Sequence, residues 1–443
     1  MLPNFGEHIT LFAKHNFCFT MKKILFLALM LCLSSVAQAQ NNSAIKLKPY
    51  GFVSNYVCYD TRECVTVFGE MFNIMPKDVE LNADGSEDIN AEQKFSFVSF
   101  TTRLGLDVSG PEIWKAKSSA KIEADFCGYG ANNTLLRIRQ AYVALNWERL
   151  SMVFGQTWHP MVNQVMPSVV GLSTGAPFAP FNRSPQLKVI ADLGKGWDLN
   201  VAAVYQFPNT SVGPMGADVS YSRWSMIPEL YMSLKHVGEH FTYGVGVDVL
   251  SIMPRKKSQV QREITLDDGS TQMQSVEVSV NDRVTGLSPE IFADYKRGKF
   301  NIKGKAIYAQ NTSHLIMVSG FGATDYDTQT GSYDYAPIRS AVSWLNATYG
   351  SKWRAGLFLG YVKNLGAKKD FISTNDFWMR GAKNTDYLYR ISPSITYTLK
   401  SLQVALEMDY TAVGYGDVAL NGRSKALREV ANTRACLLVK YSF

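Results

Sequence analysis

Charged side chains recur through this chain at alternate positions: Arg103 and Asp107; Lys117, Lys121, Glu123 and Asp125; Arg137 and Arg139; Lys188 and Asp192; Glu290 and Asp294; Lys303 and Lys305; Arg354; Arg390; Glu407 and Asp409; Arg434 and Lys440. A spacing of two puts such residues on one face of an extended strand. Charges of both signs on a shared face call for water beside them, and guanidinium forks suit carboxylate or phosphate groups. Bond-making chemistry has less to stand on. Beyond residue 39 the histidines are His159, His236, His240 and His314, and none stands in a nucleophile elbow, a triad context or a zinc-ligand spacing. No catalytic residue, metal ligand or cofactor site is expected. The acidic run Asp78, Glu80, Asp84, Glu87 and Asp88 fails the EF-hand spacing and reads as a solvated loop.

The elements that must carry these residues are strands. From Ile45 onward apolar and polar side chains alternate in sixteen segments: 45–60, 95–108, 115–127, 135–147, 150–158, 185–193, 197–207, 226–236, 240–253, 284–296, 299–311, 339–349, 352–364, 386–399, 401–412 and 432–443. Connections alternate long and short, with long ones after each odd-numbered strand and tight turns at Ser109-Gly110-Pro111, Gly194-Lys195-Gly196, Val237-Gly238-Glu239 and Gly350-Ser351. Aromatic residues stand eight apart on one face in Trp197/Tyr205, Phe300/Tyr308, Trp353/Tyr361 and Tyr389/Tyr397, with no charge between them at that parity. Eight tilted residues rise roughly 20 Å, close to the height of the apolar band that a membrane barrel shows to lipid. The expected fold is all-β: a transmembrane antiparallel up-and-down barrel of about sixteen strands, wide enough for an aqueous lumen. A soluble barrel core is the alternative, but it has no reason to place rings only at strand ends.

The chain has 443 residues, 46% hydrophobic and 19% charged, enough apolar surface to exclude a disordered protein. Past residue 40 no apolar run reaches the length of a membrane helix. Met21-Lys22-Lys23, the apolar Ile24 to Leu33 and Ala37-Gln38-Ala39 have the order of a secretion signal, so 1–39 is expected to be a leader cleaved after Ala39, with 1–20 an upstream extension and Met21 the natural start. Residues 40–443 then form a single barrel. The formal charge of +7 falls to +5 once three lysines and one glutamate leave with the leader, and no dense basic run suggests nucleic acid. Cys58, Cys64, Cys127 and Cys436 remain in a compartment that permits disulfides; Cys58 and Cys64 are near enough in sequence to pair across a loop.

Opposite the lipid-facing parity, closure of the sheet would gather Arg434, Arg103, Lys121, Arg137 and Arg139 on one stretch of lumen wall, with Arg390 two strands away and Arg354 further round. These cations can either select anions or form internal ion pairs with Asp107, Glu123 and Asp125. The third long connection, 159–184, is rich in Pro, Gly and Met and holds no acidic residue. It is too apolar to stand in water, so it is expected to fold inward, with Arg183 at the constriction, or else to pack on a neighbouring subunit or the barrel rim. Thr265 to Ser270 reads as the tip of a hairpin beyond the membrane. The last strand ends on Phe443 and resembles the assembly signal of bacterial outer-membrane barrels, implying contact with the assembly machinery, with membrane lipid and with lipopolysaccharide.

Leu136-Arg137-Ile138-Arg139-Gln140-Ala141-Tyr142, Phe154-Gly155-Gln156-Thr157-Trp158 and Asn182-Arg183-Ser184-Pro185-Gln186 resemble the DcaP-like outer-membrane porins. The resemblance implies a sixteen-stranded homotrimer with an inward third loop, passing small anionic solutes such as dicarboxylates. Described relatives can carry a helical coiled-coil extension, whereas here Gln40 leads almost directly into a strand. The competing functions are an adhesive or structural barrel without a channel and a barrel hydrolase.

Overall fold

A computed structural model of the chain describes residues 45–67, 72–128, 135–171, 173–265, 267 and 269–443. The expected leader lies outside them. Sixteen strands form the barrel: β1 Lys46–Asp60, β2 Arg103–Ile113, β3 Ala116–Gly128, β4 Leu135–Asn146, β5 Leu150–Trp158, β6 Arg183–Gly194, β7 Trp197–Val204, β8 Glu229–Val237, β9 Phe241–Ile252, β10 Val284–Arg297, β11 Phe300–Gln310, β12 Tyr333–Gly350, β13 Trp353–Gly366, β14 Thr385–Leu399, β15 Leu402–Val418 and β16 Ser424–Ser442. Lys94–Val98 continues the line of β2 against the far end of β1. Each strand is antiparallel to the next, and β1 pairs with β16 from Phe52↔Ser442 to Asp60↔Arg434, so the sheet has no free edge.

Two-sidedness makes these segments strands. Along β13, Trp353, Ala355, Leu357, Leu359 and Tyr361 are exposed while Phe358, Gly360 and Val362 are buried inside. The ring pairs form two levels: Trp353 opposes Tyr397 at one end of the β13/β14 pair, with centroids 4.6 Å apart, and Tyr361 opposes Tyr389 at the other. Ile291 and Val245, both more than half exposed, belong to the apolar belt between such levels.

Several boundaries differ from expectation: the strand expected over 95–108 is broken between Val98 and Arg103, and β12 starts at Tyr333 rather than at Arg339. The turn read at Ser109-Gly110-Pro111 lies instead at Trp114 and Lys115, which take the positive φ values of 51° and 63°. Gly110 and Pro111 are absorbed as a register shift against β3, since a bulge tolerates a residue with no N–H to donate. The connection after β15, expected to be long, shrinks to 419–423 because β15 and β16 stay paired out to Val418↔Ser424. Lys257–Thr265 and Thr271–Ser279 form the expected outer hairpin.

The lumen is not simply wet. Phe72, Ile74 and Met75 from the first outer connection, Met161, Val165 and Phe178 from the third, and Leu315 to Val318 from the one between β11 and β12 bury themselves against Phe292, Trp344, Phe358, Leu388 and Val413 of the wall. Each large apolar side chain buried in this way contributes about 1.5–3 kcal/mol. The first connection is thus no fully solvated loop. Its acidic end is latched too: Asp78 accepts from Arg428 at 2.8 and 2.6 Å and from Asn384 at 2.7 Å. Burial alone would raise the Asp78 carboxyl, but these donors hold it below the usual carboxylate range.

Candidate functional site

The third connection leaves β5 through a one-turn helix, Pro160–Asn163, and returns at Arg183. Part of its backbone is satisfied by short turns of its own, such as Val162 N donating to His159 O, and part by wall side chains, one strand after another. Lys305 donates to the Met161 carbonyl while paired with Glu290 at 2.8 Å. Lys303 donates to Met166 O and Ser168 Oγ, and Asn346 Oδ1 accepts from Ser168 N at 2.7 Å. Glu407 accepts from the amides of Val170 and Gly171 at 2.9 and 2.6 Å and from Thr174 Oγ1. Phe178 lies on Gly360, where an added Cβ would come within 2.4 Å of the ring. The loop is therefore bound to β11, β12, β13 and β15.

Arg390, expected among the selecting cations, belongs to this binding. Its guanidinium donates to the carbonyls of Ser173, Thr174, Ala176, Asn73 and Ile74 and to Thr411 Oγ1, and its side chain is buried. It ties the first and third connections to the wall and offers no free edge to a solute.

The other half of the wall carries the remaining cluster. Arg137 grips Asp125 with two bonds, at 3.0 and 2.8 Å; Arg139 reaches Asp125 at 2.6 Å and Glu123 at 2.9 Å; Arg103 lies 3.7 Å from Glu123. Arg183 sits behind Trp158 and Phe181, its guanidinium carbon 4.7 and 5.1 Å from their ring centres, with one terminal nitrogen buried and without a partner. Among the described residues no carboxylate lies within ion-pair distance of it. Four guanidinium groups thus face two carboxylates, a surplus of positive charge that pairing does not remove. Lys121 stands one step along β3, neutralised by Asp107 at 2.9 Å and bonded to Tyr50. Arg434 lies 3.9 Å from Asp60 on the seam, and Arg354, near the turn end of β13, has no carboxylate within pairing distance among the described residues.

Between the cationic wall and the loop lies a cavity of about 230 Å³. Tyr56, Arg103, Arg139 and Trp158 line one side; Val165, Met166, Pro167, Val169, Val170 and Phe181 line the other. Tyr56 was not expected here, and Trp158 was known only as part of a resembling segment, because an aromatic at lumen parity carries no charge to mark it.

A second cluster is also new. Glu229 Oε1 stands 3.0 Å from His159 Nε2 and 2.8 Å from His314 Nε2, all three buried. It is the one grouping of metal-ligating type among the described residues. His159 Nδ1 accepts the Met161 amide at 3.2 Å, so the ring proton sits on Nε2 and is given to Glu229. In this arrangement Glu229 joins the two imidazoles into a hydrogen-bonded brace for the loop.

A closed sixteen-stranded antiparallel barrel with tight turns at one end and a connection folded into its lumen has the porin fold. Among solved structures the chain is similar to the outer membrane channel DcaP of Acinetobacter baumannii, at 21% identity over 90% of this chain and 98% of that one, with a TM-score of 0.63. It is also similar to an anion-selective porin from Comamonas acidovorans (11% identity, 90% of this chain and 100% of that one, TM-score 0.51) and to the trimer form of OmpT from Vibrio cholerae (12%, 90% and 100%, 0.51). No sequence-family model and no curated protein sequence matches it. At these identities the likeness is one of fold, and it agrees with the resemblance carried by the Arg137, Gln156 and Arg183 segments.

Proposed function

We propose that the chain is an integral bacterial outer-membrane porin through which small anionic solutes, dicarboxylates among them, diffuse between the arginine-bearing wall and the third connection. The observation that carries this reading is the cavity flanked on one side by Arg103 and Arg139, within a wall whose four guanidinium groups outnumber its two carboxylates, and on the other by an apolar loop without acidic residues. In such a slot an anion meets a lowered electrostatic barrier while its carbon skeleton brushes apolar side chains. Arg103 and Arg139 line the filter and Arg137 and Arg183 add positive charge from behind it, so Arg183 does not itself form the constriction; Arg354 adds to the field along the wall, whereas Lys121 and Arg434 are offset by Asp107 and Asp60. A homotrimer, suggested by the resemblance and by the trimer form of OmpT, would place three such slots side by side.

Purified protein in a planar bilayer tests the proposal. Stepwise currents and a reversal potential of anionic sign are expected, with small dicarboxylates slowing chloride conduction more than sugars do. A silent bilayer would return the reading to an adhesive or structural barrel, and turnover of added lipid to a hydrolase.

A further inference from the structure

The seam of the barrel holds two cysteines in direct register: Cys58 on β1 is the cross-strand partner of Cys436 on β16. Both side chains are buried, at 3% and 2% exposure, and their sulfur atoms lie 2.9 Å apart, closer than two non-bonded sulfurs settle. Directly opposed residues of an antiparallel pair have Cα atoms about 4.5–5.5 Å apart, inside the span that a disulfide bridges. The other two cysteines are elsewhere. Cys64 Sγ points at Arg62 O, 3.5 Å away, and Cys127 Sγ at Phe100 O, 3.2 Å away, so the sequence-near pair Cys58 and Cys64 is not the one brought together.

We propose that Cys58 and Cys436 form a disulfide that staples the first strand of the barrel to the last. The step rests on export of the chain to an oxidising compartment. One cysteine thiolate attacks the disulfide of a protein disulfide donor, giving a mixed disulfide and releasing one donor thiolate. The second cysteine thiolate then attacks the chain's own sulfur and expels the donor's other thiolate. The two cysteines lose two protons and two electrons, and the donor leaves as a dithiol. Because both sulfurs are enclosed once the seam is shut, the exchange belongs to the folding chain, and the finished bond is shielded from reductants. The link encloses nearly the whole barrel in one covalent loop, so strand loss at the seam, the first step available to an opening barrel, is blocked.

Thiol counting on wild-type protein extracted from the outer-membrane fraction decides the matter. In denaturant without reductant, a maleimide–polyethylene glycol probe should label two of the four cysteines of residues 40–443, and all four after reduction. The unreduced mass should be lower by two hydrogens, and a proteolytic peptide pair joining Cys58 to Cys436 should appear. C58S and C436S should each label at three positions without reductant, while C64S should keep the cross-link. Four labels on the unreduced wild-type chain, or a peptide joining Cys58 to Cys64, would overturn the proposal whether or not any variant assembles. The count does not involve conductance, so a cross-linked barrel that carries no current sinks the channel reading alone.

Discussion

Arg139 and Arg183 lie in the same wall, but their charges meet different surroundings. Arg139 is the shared partner of Glu123 and Asp125, both buried; Arg183 is buried against two rings and paired with nothing among the described residues. Replacing Arg139 with Met takes the 2.9 Å ion pair from Glu123 and one of two guanidinium partners from Asp125, leaving Arg103 at 3.7 Å and Arg137 to hold them, an expected loss of about 1–3 kcal/mol. Replacing Arg183 with Met exchanges the cation–ring contacts for apolar and sulfur–ring ones and removes an unpaired buried charge, so stability should hold or rise. Both should lower the anion preference, because each removes one positive charge from the same surplus. Urea unfolding in lipid vesicles and reversal potentials in a salt gradient separate the two effects; a reversal potential unmoved by Arg183→Met would mean that the wall is not the filter. The parity of Arg137 and Arg139 was legible in the sequence. Which carboxylate each would meet was not, since it depends on a register that shifts between Glu123 and Ala124, where Arg139 bulges out of the ladder.

At the scale of elements, the strands were readable because lipid on one side and lumen on the other impose a period of two, which the residues must obey. The connections obey no such rule. The lack of acidic residues in 159–184 pointed inward, yet nothing local showed that Phe72–Pro76 follows it in, because those side chains are buried only by partners far along the chain. Arg390 is where the two connections meet, and its period-two position made it look like a free cation. Substituting it with Met withdraws the guanidinium from five backbone carbonyls, of which Ser173 O keeps the Ala176 amide; each carbonyl left with no donor in a buried place costs about 1–3 kcal/mol unless the loop moves to find water. Movement is the cheaper course. Arg390→Met should therefore widen the passage, raising single-channel conductance and flicker while strand content by circular dichroism stays constant. A channel of unchanged size would show that the remaining anchors, Glu407 and Lys305, hold the loop by themselves.

For the whole molecule, the decisive asymmetry lies between the outward and inward faces of one closed sheet. Leu357 stands midway between Trp353 and Tyr361 on the exposed face of β13, and the next residue, Phe358, is buried in the lumen against Phe178. In water an arginine at Leu357 would be harmless, since an exposed charge keeps its hydration. In a bilayer the same guanidinium enters hydrocarbon near mid-depth, where it costs about 2–4 kcal/mol, and the cost should fade for the corresponding change at Trp353 or Tyr361, near the interfaces. Folding titrations of Leu357→Arg and Tyr361→Arg into vesicles, read by the loss of the compact unboiled band in electrophoresis, should show that gradient. Equal and negligible costs at the two depths would mean that the exposed face of β13 meets something other than lipid, and the porin reading would fall with it.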